Sequence, residues 1–371
     1  MAPTASLRAM STTTHPTEKA TTPPLTWRDR LLGWREIMQT ANAPEDRPLD
    51  AVGKWLVMTR AAVFPMTLWS GTIGVLLAVE VARTTGTVAI DWVAAILAIV
   101  GIVLAHAANN LINDYFDMTG GVDTEGYVRA LYAPHPVLSG WVTKATLRNV
   151  MVGLTLIGGL IMLLLAYWKG PLVIVFALAG LFLSVFYVAP PFSLKRHGLG
   201  ELDVFLTWGP LMIGGTYLVA TGSIPLWVLV FSMPYALLVT SVLFGKHIDK
   251  IEPDTTLGIR TVPVILGERT ARRTNQALMI LFYPLVLLAV LAGWVGPWVL
   301  LAGLAIPTLW SVLKVYNQPK PAGPPPWYPA RGWPLWFVGF AFRHVRLAGF
   351  LLTVGLVLNV LVPVKLPLPW L

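Results

Sequence analysis

The chain has 371 residues, of which 56% are hydrophobic and only 12% charged, with a formal net charge of +9 and no cysteine. Soluble domains carry roughly 25% charged residues, so this composition excludes an ordinary water-soluble core. Disulfides, thiolate metal sites and thiol nucleophiles are excluded as well, and any metal must be held by oxygen or histidine.

Residues 1–26 are rich in Thr, Pro and Ala, contain no apolar run, and read as a disordered tail. Residues 27–54 read as an interfacial segment. It opens with WRDRLLGWREIM, which sets Trp27, Leu31, Trp34 and Met38 on one side and offers Arg28, Arg30 and Arg35 to lipid headgroups. Nine apolar segments follow, near 57–81, 92–112, 149–168, 170–188, 203–221, 224–244, 275–295, 297–315 and 344–364. Each approaches the ~20 residues that a helix needs to cross a bilayer core. The expectation is an all-α integral membrane protein whose nine transmembrane helices occupy residues 55–371.

The basic residues orient it. The region through Arg60, the connections 113–148, 189–202, 245–274 and 316–343, and the two residues Lys314 and Arg346 that flank the last of them hold 24 of the 27 Lys and Arg residues, leaving Arg83, Lys169 and Lys365 elsewhere. The positive-inside rule therefore predicts a cytoplasmic N-terminus and cytoplasmic connections, with the C-terminus outside, in a multi-pass protein of the cell (plasma) membrane. The positive charge is topological, and no nucleic-acid partner is implied. Residues 317–334, QPKPAGPPPWYPARGWPL, hold too much proline for a helix and read as a semi-rigid cytoplasmic loop.

Beyond residue 80 there are 11 acidic residues, and 7 of them fall in two windows: Asp114, Asp117, Asp123 and Glu125, then Asp249, Glu252 and Asp254. His106, Asn110, Asp114 and Asp117 are spaced i, i+4, i+8 and i+11, which draws one polar stripe down the second span to its cytoplasmic end. Such a stripe faces a cavity, not lipid. Two carboxylates on one helical face repel unless a cation lies between them, and hard oxygen ligands suit magnesium (Mg2+), which commonly bridges carboxylates to substrate phosphates. Diphosphate is the natural ligand. The second window closes the sixth span in the same way, so spans one to four and five to eight read as related halves. Taken singly, each acid has an alternative as a solvated loop residue, and His106 as a hydrogen-bonded interior histidine. The GLGEL run lacks the spacing and the lysine of a phosphate-binding loop.

The segment NNLINDYFDMTGGVDTE, residues 109–125, resembles the first aspartate-rich motif of the UbiA-type membrane prenyltransferases, with Asn110, Asp114 and Asp117 matching it. Its GGVDTE ending, and YVAPPFSLKRHGLGELDVFLTWGPLMIGGTYLVATG at 187–222, look most like the menaquinone branch, the 1,4-dihydroxy-2-naphthoate prenyltransferases. The stretch DKIEPDTTLGIRTVPVILGE, 249–268, resembles the second acidic motif, although four residues separate Asp249 from Asp254 where three are usual and Lys250 takes the expected first position. His135, in HPVLSG, stands where an Arg is common.

The resemblance implies a UbiA-type bundle around a central cavity and Mg-dependent transfer of an isoprenyl group from a polyprenyl diphosphate to an aromatic acceptor. It implies metal ligation among Asp114, Asp117, Asp123, Asp249, Glu252 and Asp254, with Asn110, Asp114, Asp117 and Asp254 as the catalytic set. Arg60, Arg129, Lys195, Lys246 and Arg260 are candidates for diphosphate binding, all but Arg60 with the alternative of a positive-inside anchor, and Tyr187, with Trp208, for the prenyl or aromatic pocket, with the alternative of packing or an interfacial belt. Arg60 is notable for lying inside the first apolar segment, where an unpaired charge costs about 2.5–3.5 kcal/mol. Other acceptors, including glyceryl phosphate, fit the same diphosphate machinery. A secondary transporter is the rival from another class, but its ion sites would lie near the bilayer midplane.

Overall fold

The computed structural model describes residues 25–44, 46–124, 134–328 and 332–364; the expected disordered tail, apart from its last two residues, lies outside this set, as does Arg129. Regular structure among the described residues is entirely helical.

Helix α1 (Trp27–Thr40) opens on a capping box, in which Thr26 Oγ1 accepts from the Asp29 N–H at 3.2 Å while the Asp29 carboxylate accepts from the Thr26 N–H. Trp27 and Leu31 are exposed, whereas Ile37 is buried against the body of the protein. The helix thus has one packed side and one outward, apolar edge. Asp50 caps α2 (Ala51–Met58) and also accepts from Trp34 Nε1 at 2.9 Å, which locks α1 onto α2.

The first span begins later than the apolar run indicated. Arg60 adopts left-handed backbone angles (φ 53°) and breaks the chain between α2 and the span Ala61–Thr85, whose α-helical part is α3 (Phe64–Thr85). Helix α4 (Trp92–Thr119) is 28 residues long, about 42 Å at the helical rise, and so outruns a ~30 Å bilayer core. Its last turns carry Asp114 and Asp117, so the connection expected from residue 113 is helical as far as Thr119.

Helices α5 (Lys144–Lys169) and α6 (Leu172–Phe186) follow, then the span α7 (Gly200–Thr221), whose middle portion Thr207–Gly214 is π-helical and contains Pro210. Proline removes one N–H from the ladder, and a widened turn accommodates it. The second half consists of α8 (Leu226–Asp249), the short α9 (Ile251–Thr256) and α10 (Val262–Leu266), then α11 (Glu268–Leu291), α12 (Pro297–Tyr316) and α13 (Phe337–Leu361).

Eight of these helices are long and apolar enough to span a membrane, while the expected fourth segment yields only the 15-residue α6. The main core joins α3, α7, α8, α11, α12 and α13, with Ile73, Ile213, Leu238, Phe282, Val299 and Leu356 buried at its centre. Glycines permit the close approaches: a Cβ on Gly74 of α3 would strike the Ile213 carbonyl of α7. By contrast α5 shows its leucines, Leu156, Leu160 and Leu163, on the outer surface, as a lipid-facing helix does.

Candidate active site

A cavity of about 430 Å³ opens between α4, α5, α6, α7 and α8. One end is apolar, lined by Ile102, Ile161, Met162, Phe176, Leu218 and Val219 among others, with Gly158, Gly159 and Gly180 leaving room along α5 and α6. The other end is polar and collects Arg60, Asn110, Asn113, Asp117, Asp123, Lys195, Lys246 and Lys250.

The stripe read on the second span is real geometry. The Asn110 amide donates to the Thr59 carbonyl at 2.8 Å, and its Oδ1 accepts from Arg60 Nη1 at 3.3 Å. Arg60 Nη2 meets Asp114 Oδ1 at 2.5 Å, and Asp114 is wholly buried. The left-handed turn at Arg60 thus delivers a guanidinium into the cavity, where it pairs with the carboxylate that an apolar span would otherwise leave costly. Farther down α4, Lys195 Nζ donates to both oxygens of Asp117 at 2.8 and 3.1 Å. Lys195 arrives on the turn Leu194–His197, beside the buried Tyr187, which also lines the cavity. The ring lies over Gly200, where a Cβ would come within 3.1 Å of Tyr187 Cε2.

The second acidic window divides. Asp254 is buried and pairs with Lys250 at 3.2 Å, one turn earlier across the α8–α9 junction. Burial pulls the Lys250 ammonium below its usual range and the Asp254 charge pushes it back up. Asp249 instead turns to the start of α13, where its carboxylate accepts from the N–H groups of Trp336, Phe337 and Val338 at 2.9, 3.0 and 3.0 Å. Three donors already fill it, as in an N-cap. Glu252 is exposed on α9. Arg260 is exposed too, and its backbone N–H donates to the Arg196 carbonyl at 3.1 Å, binding the loop before α10 to the Lys195 turn.

Asp123 lies beside the first cluster. One ligand atom each from Asp114, Asp123 and His135 lie within 4.8 Å of one another, and all three residues are buried. His135 Nδ1 faces the N–H groups of Val137 and Leu138 at 3.3 Å, so it accepts and the ring proton sits on Nε2. Nε2 then donates to the Asp114 carbonyl at 3.2 Å, with Asp123 Oδ2 at 3.9 Å. His135 positions the cluster from behind and has no lone pair left for a metal. The remaining donors, carboxylate and amide oxygens, suit a hard divalent cation such as magnesium.

Sequence reasoning missed Asp203, Glu201 and His247. Asp203 and His247 line the cavity, and His247 Nδ1 meets Glu201 Oε1 at 2.7 Å. A lone acid in an apolar run gives no periodic signal; the available clue was its i, i+4 relation to Thr207, whose hydroxyl donates to Asp203 at 3.2 Å.

Residues 67–338 match the model of the UbiA prenyltransferase family. The chain is 27% identical over 227 residues to the mouse UbiA prenyltransferase domain-containing protein 1, covering 59% of this chain and 64% of that one. It is 25% identical over 213 residues to a 1,4-dihydroxy-2-naphthoate octaprenyltransferase of Bacillus subtilis, covering 57% and 67%. The first-named relative is thus matched over slightly less than two thirds of its length. Among solved structures, the apo form of a UbiA homolog from Aeropyrum pernix K1 superposes with a TM-score of 0.59 at 16% identity, over 81% of this chain and 98% of that one. With the family model spanning most of the chain and the same helical fold around the cavity, this protein belongs to the UbiA prenyltransferase family.

Proposed function

We propose that the protein transfers an isoprenyl group from a polyprenyl diphosphate to an aromatic acceptor, 1,4-dihydroxy-2-naphthoate, in menaquinone biosynthesis, in a magnesium-dependent reaction at the cytoplasmic face of the cell membrane. The observation that carries this reading is a cavity with charged pairs at one end, Arg60–Asp114, Lys195–Asp117 and Lys250–Asp254, and an apolar slot at the other. A molecule with a diphosphate head and a hydrocarbon tail matches that division. The likeness to the Bacillus subtilis enzyme supports the choice of acceptor.

Magnesium, when bound, supplies positive charge to the departing diphosphate. Asp114, Asp117, Asp123 and Asp254 would hold it, with Asn110 fixing the Arg60 side chain beside Asp114. Asp249 and Glu252 stand outside this set, the first because three backbone donors occupy it and the second because it faces solvent. Lys195, Lys250, Arg60 and Lys246 bind and orient the diphosphate oxygens and stabilise the negative charge as the allylic carbon–oxygen bond breaks. The apolar walls from α5 to α7 exclude water, which would otherwise quench the allylic cation before the ring attacks it.

The test is an assay in membranes with magnesium, labelled prenyl diphosphates and a panel of acceptors, run beside Asp114→Ala and Asp254→Ala. Both variants should lose at least about 100-fold in kcat/KM. Product formation at the wild-type rate in both would sink the assigned site. Transfer to glyceryl phosphate, with none to dihydroxynaphthoate, would move the acceptor to another class.

A further inference from the structure

Beside the charged pairs the cavity holds a second polar group that they leave untouched. Asp203 and Trp208 of α7 line the cavity and are only 5% and 8% exposed. Asp203 Oδ1 accepts from Thr207, while Asp203 Oδ2 and Trp208 Nε1 have no hydrogen-bond partner among the described residues. Buried polar atoms are nearly always paired, so an unmet acceptor and an unmet donor on two residues that line one cavity point to a ligand that supplies both partners. The indole nitrogen can only donate, and an ionised carboxylate can only accept. His247 lines the same wall, and because Glu201 holds its Nδ1 at 2.7 Å, Nε2 is the nitrogen left for a ligand. The π-helical portion of α7 begins at Thr207, which sets the direction in which Trp208 projects relative to Asp203.

We infer that Asp203, Trp208 and His247 form the acceptor subsite, which takes an aromatic ring bearing an ionisable hydroxyl and a second oxygen, with Asp203 as the general base. The inference rests on the prenyl transfer proposed above. Asp203 Oδ2 receives the hydroxyl proton, and Trp208 Nε1 donates to the ring's other oxygen. The electron pair freed on the hydroxyl oxygen moves into the ring, whose carbon bonds to the allylic carbon. The allylic carbon–oxygen bond breaks, and its electron pair leaves on the diphosphate. The substituted ring carbon then loses its proton and the carbonyl oxygen regains one, so the net change is one new carbon–carbon bond and one released proton.

The experiment compares wild type, Asp203→Asn and Trp208→Phe in proteoliposomes with magnesium, geranyl diphosphate and hydroxynaphthoates. It reads KM for each substrate, the magnesium concentration for half-activity and the pH profile. Asp203→Asn should lower kcat about 100-fold or more, raise the acceptor KM and flatten the acid limb of the pH profile. KM for geranyl diphosphate and the magnesium requirement should stay within about twofold, which also shows that the variant folds. Trp208→Phe should raise the acceptor KM about tenfold. A rise in the magnesium requirement of Asp203→Asn would make Asp203 a metal ligand, and an unchanged acceptor KM and pH profile would make it structural; either overturns the inference. Wild-type protein that consumes geranyl diphosphate yet prenylates no hydroxylated ring overturns the functional reading itself, and this inference with it.

Discussion

Asp249 and Asp254 lie five positions apart, yet the break between α8 and α9 at Lys250 points them to different neighbours. Asp254 stays in the cluster with Lys250, while Asp249 fastens the first turn of α13 to the end of α8. Removing the Asp249 carboxylate leaves three N–H groups without their acceptor at a helix start, a loss of roughly 1–3 kcal/mol. Asp249→Ala should therefore lower the thermal midpoint in detergent while KM for a prenyl diphosphate stays near wild type. Asp254→Ala, which strands the buried Lys250, should lower the midpoint too but also raise that KM, so the KM separates anchor from ligand. Sequence spacing could not make this distinction, because it depends on where one helix stops. Asn110, Asp114 and Asp117 were legible since an unbroken helix converts spacing directly into a common face. Arg60 was legible as an oddity but not in its geometry, which requires a left-handed residue that apolar patterning does not reveal.

Among the elements, the spans were readable from apolar runs of the right length, and most of their limits agree with the helices observed. Helices α4, α11 and α13 run beyond their apolar runs into the expected connections, and two further departures have physical causes. The first run begins in α2, which Arg60 cuts from the span, and the fourth supplies α6, whose 15 residues reach about 22 Å. Packing between helices was not readable at all. Gly74 against Ile213 is an instance: no single sequence shows that this glycine meets a carbonyl of α7 four helices later in the chain. Gly74→Val should overpack the contact by about 1–3 kcal/mol and push α7 outward. Since Ser70, one turn earlier, donates to the Trp208 carbonyl at 2.8 Å, that shift should also disturb the cavity wall. The checks are a lowered thermal midpoint together with a raised acceptor KM.

For the molecule as a whole, the distribution of Lys and Arg predicts which end of each helix faces the cytoplasm, and the chain's lack of cysteine makes that testable without background. Ser223→Cys, between α7 and α8, should react with an impermeant thiol reagent added to intact cells, and Gln318→Cys, after α12, only after lysis; both positions are exposed. The opposite pattern would invert the topology. Each carboxylate of the pairs Arg60–Asp114, Lys195–Asp117 and Lys250–Asp254 already has a cation against it. Under the function proposed above, metal and diphosphate together would enter by exchange of partners, with the lysines and the arginine passing from carboxylate to phosphate oxygens, and the local charge would stay close to balanced. Chelation should accordingly abolish turnover yet leave the thermal midpoint of the substrate-free protein almost unchanged. A fold that carries its own counterions can wait empty in the membrane.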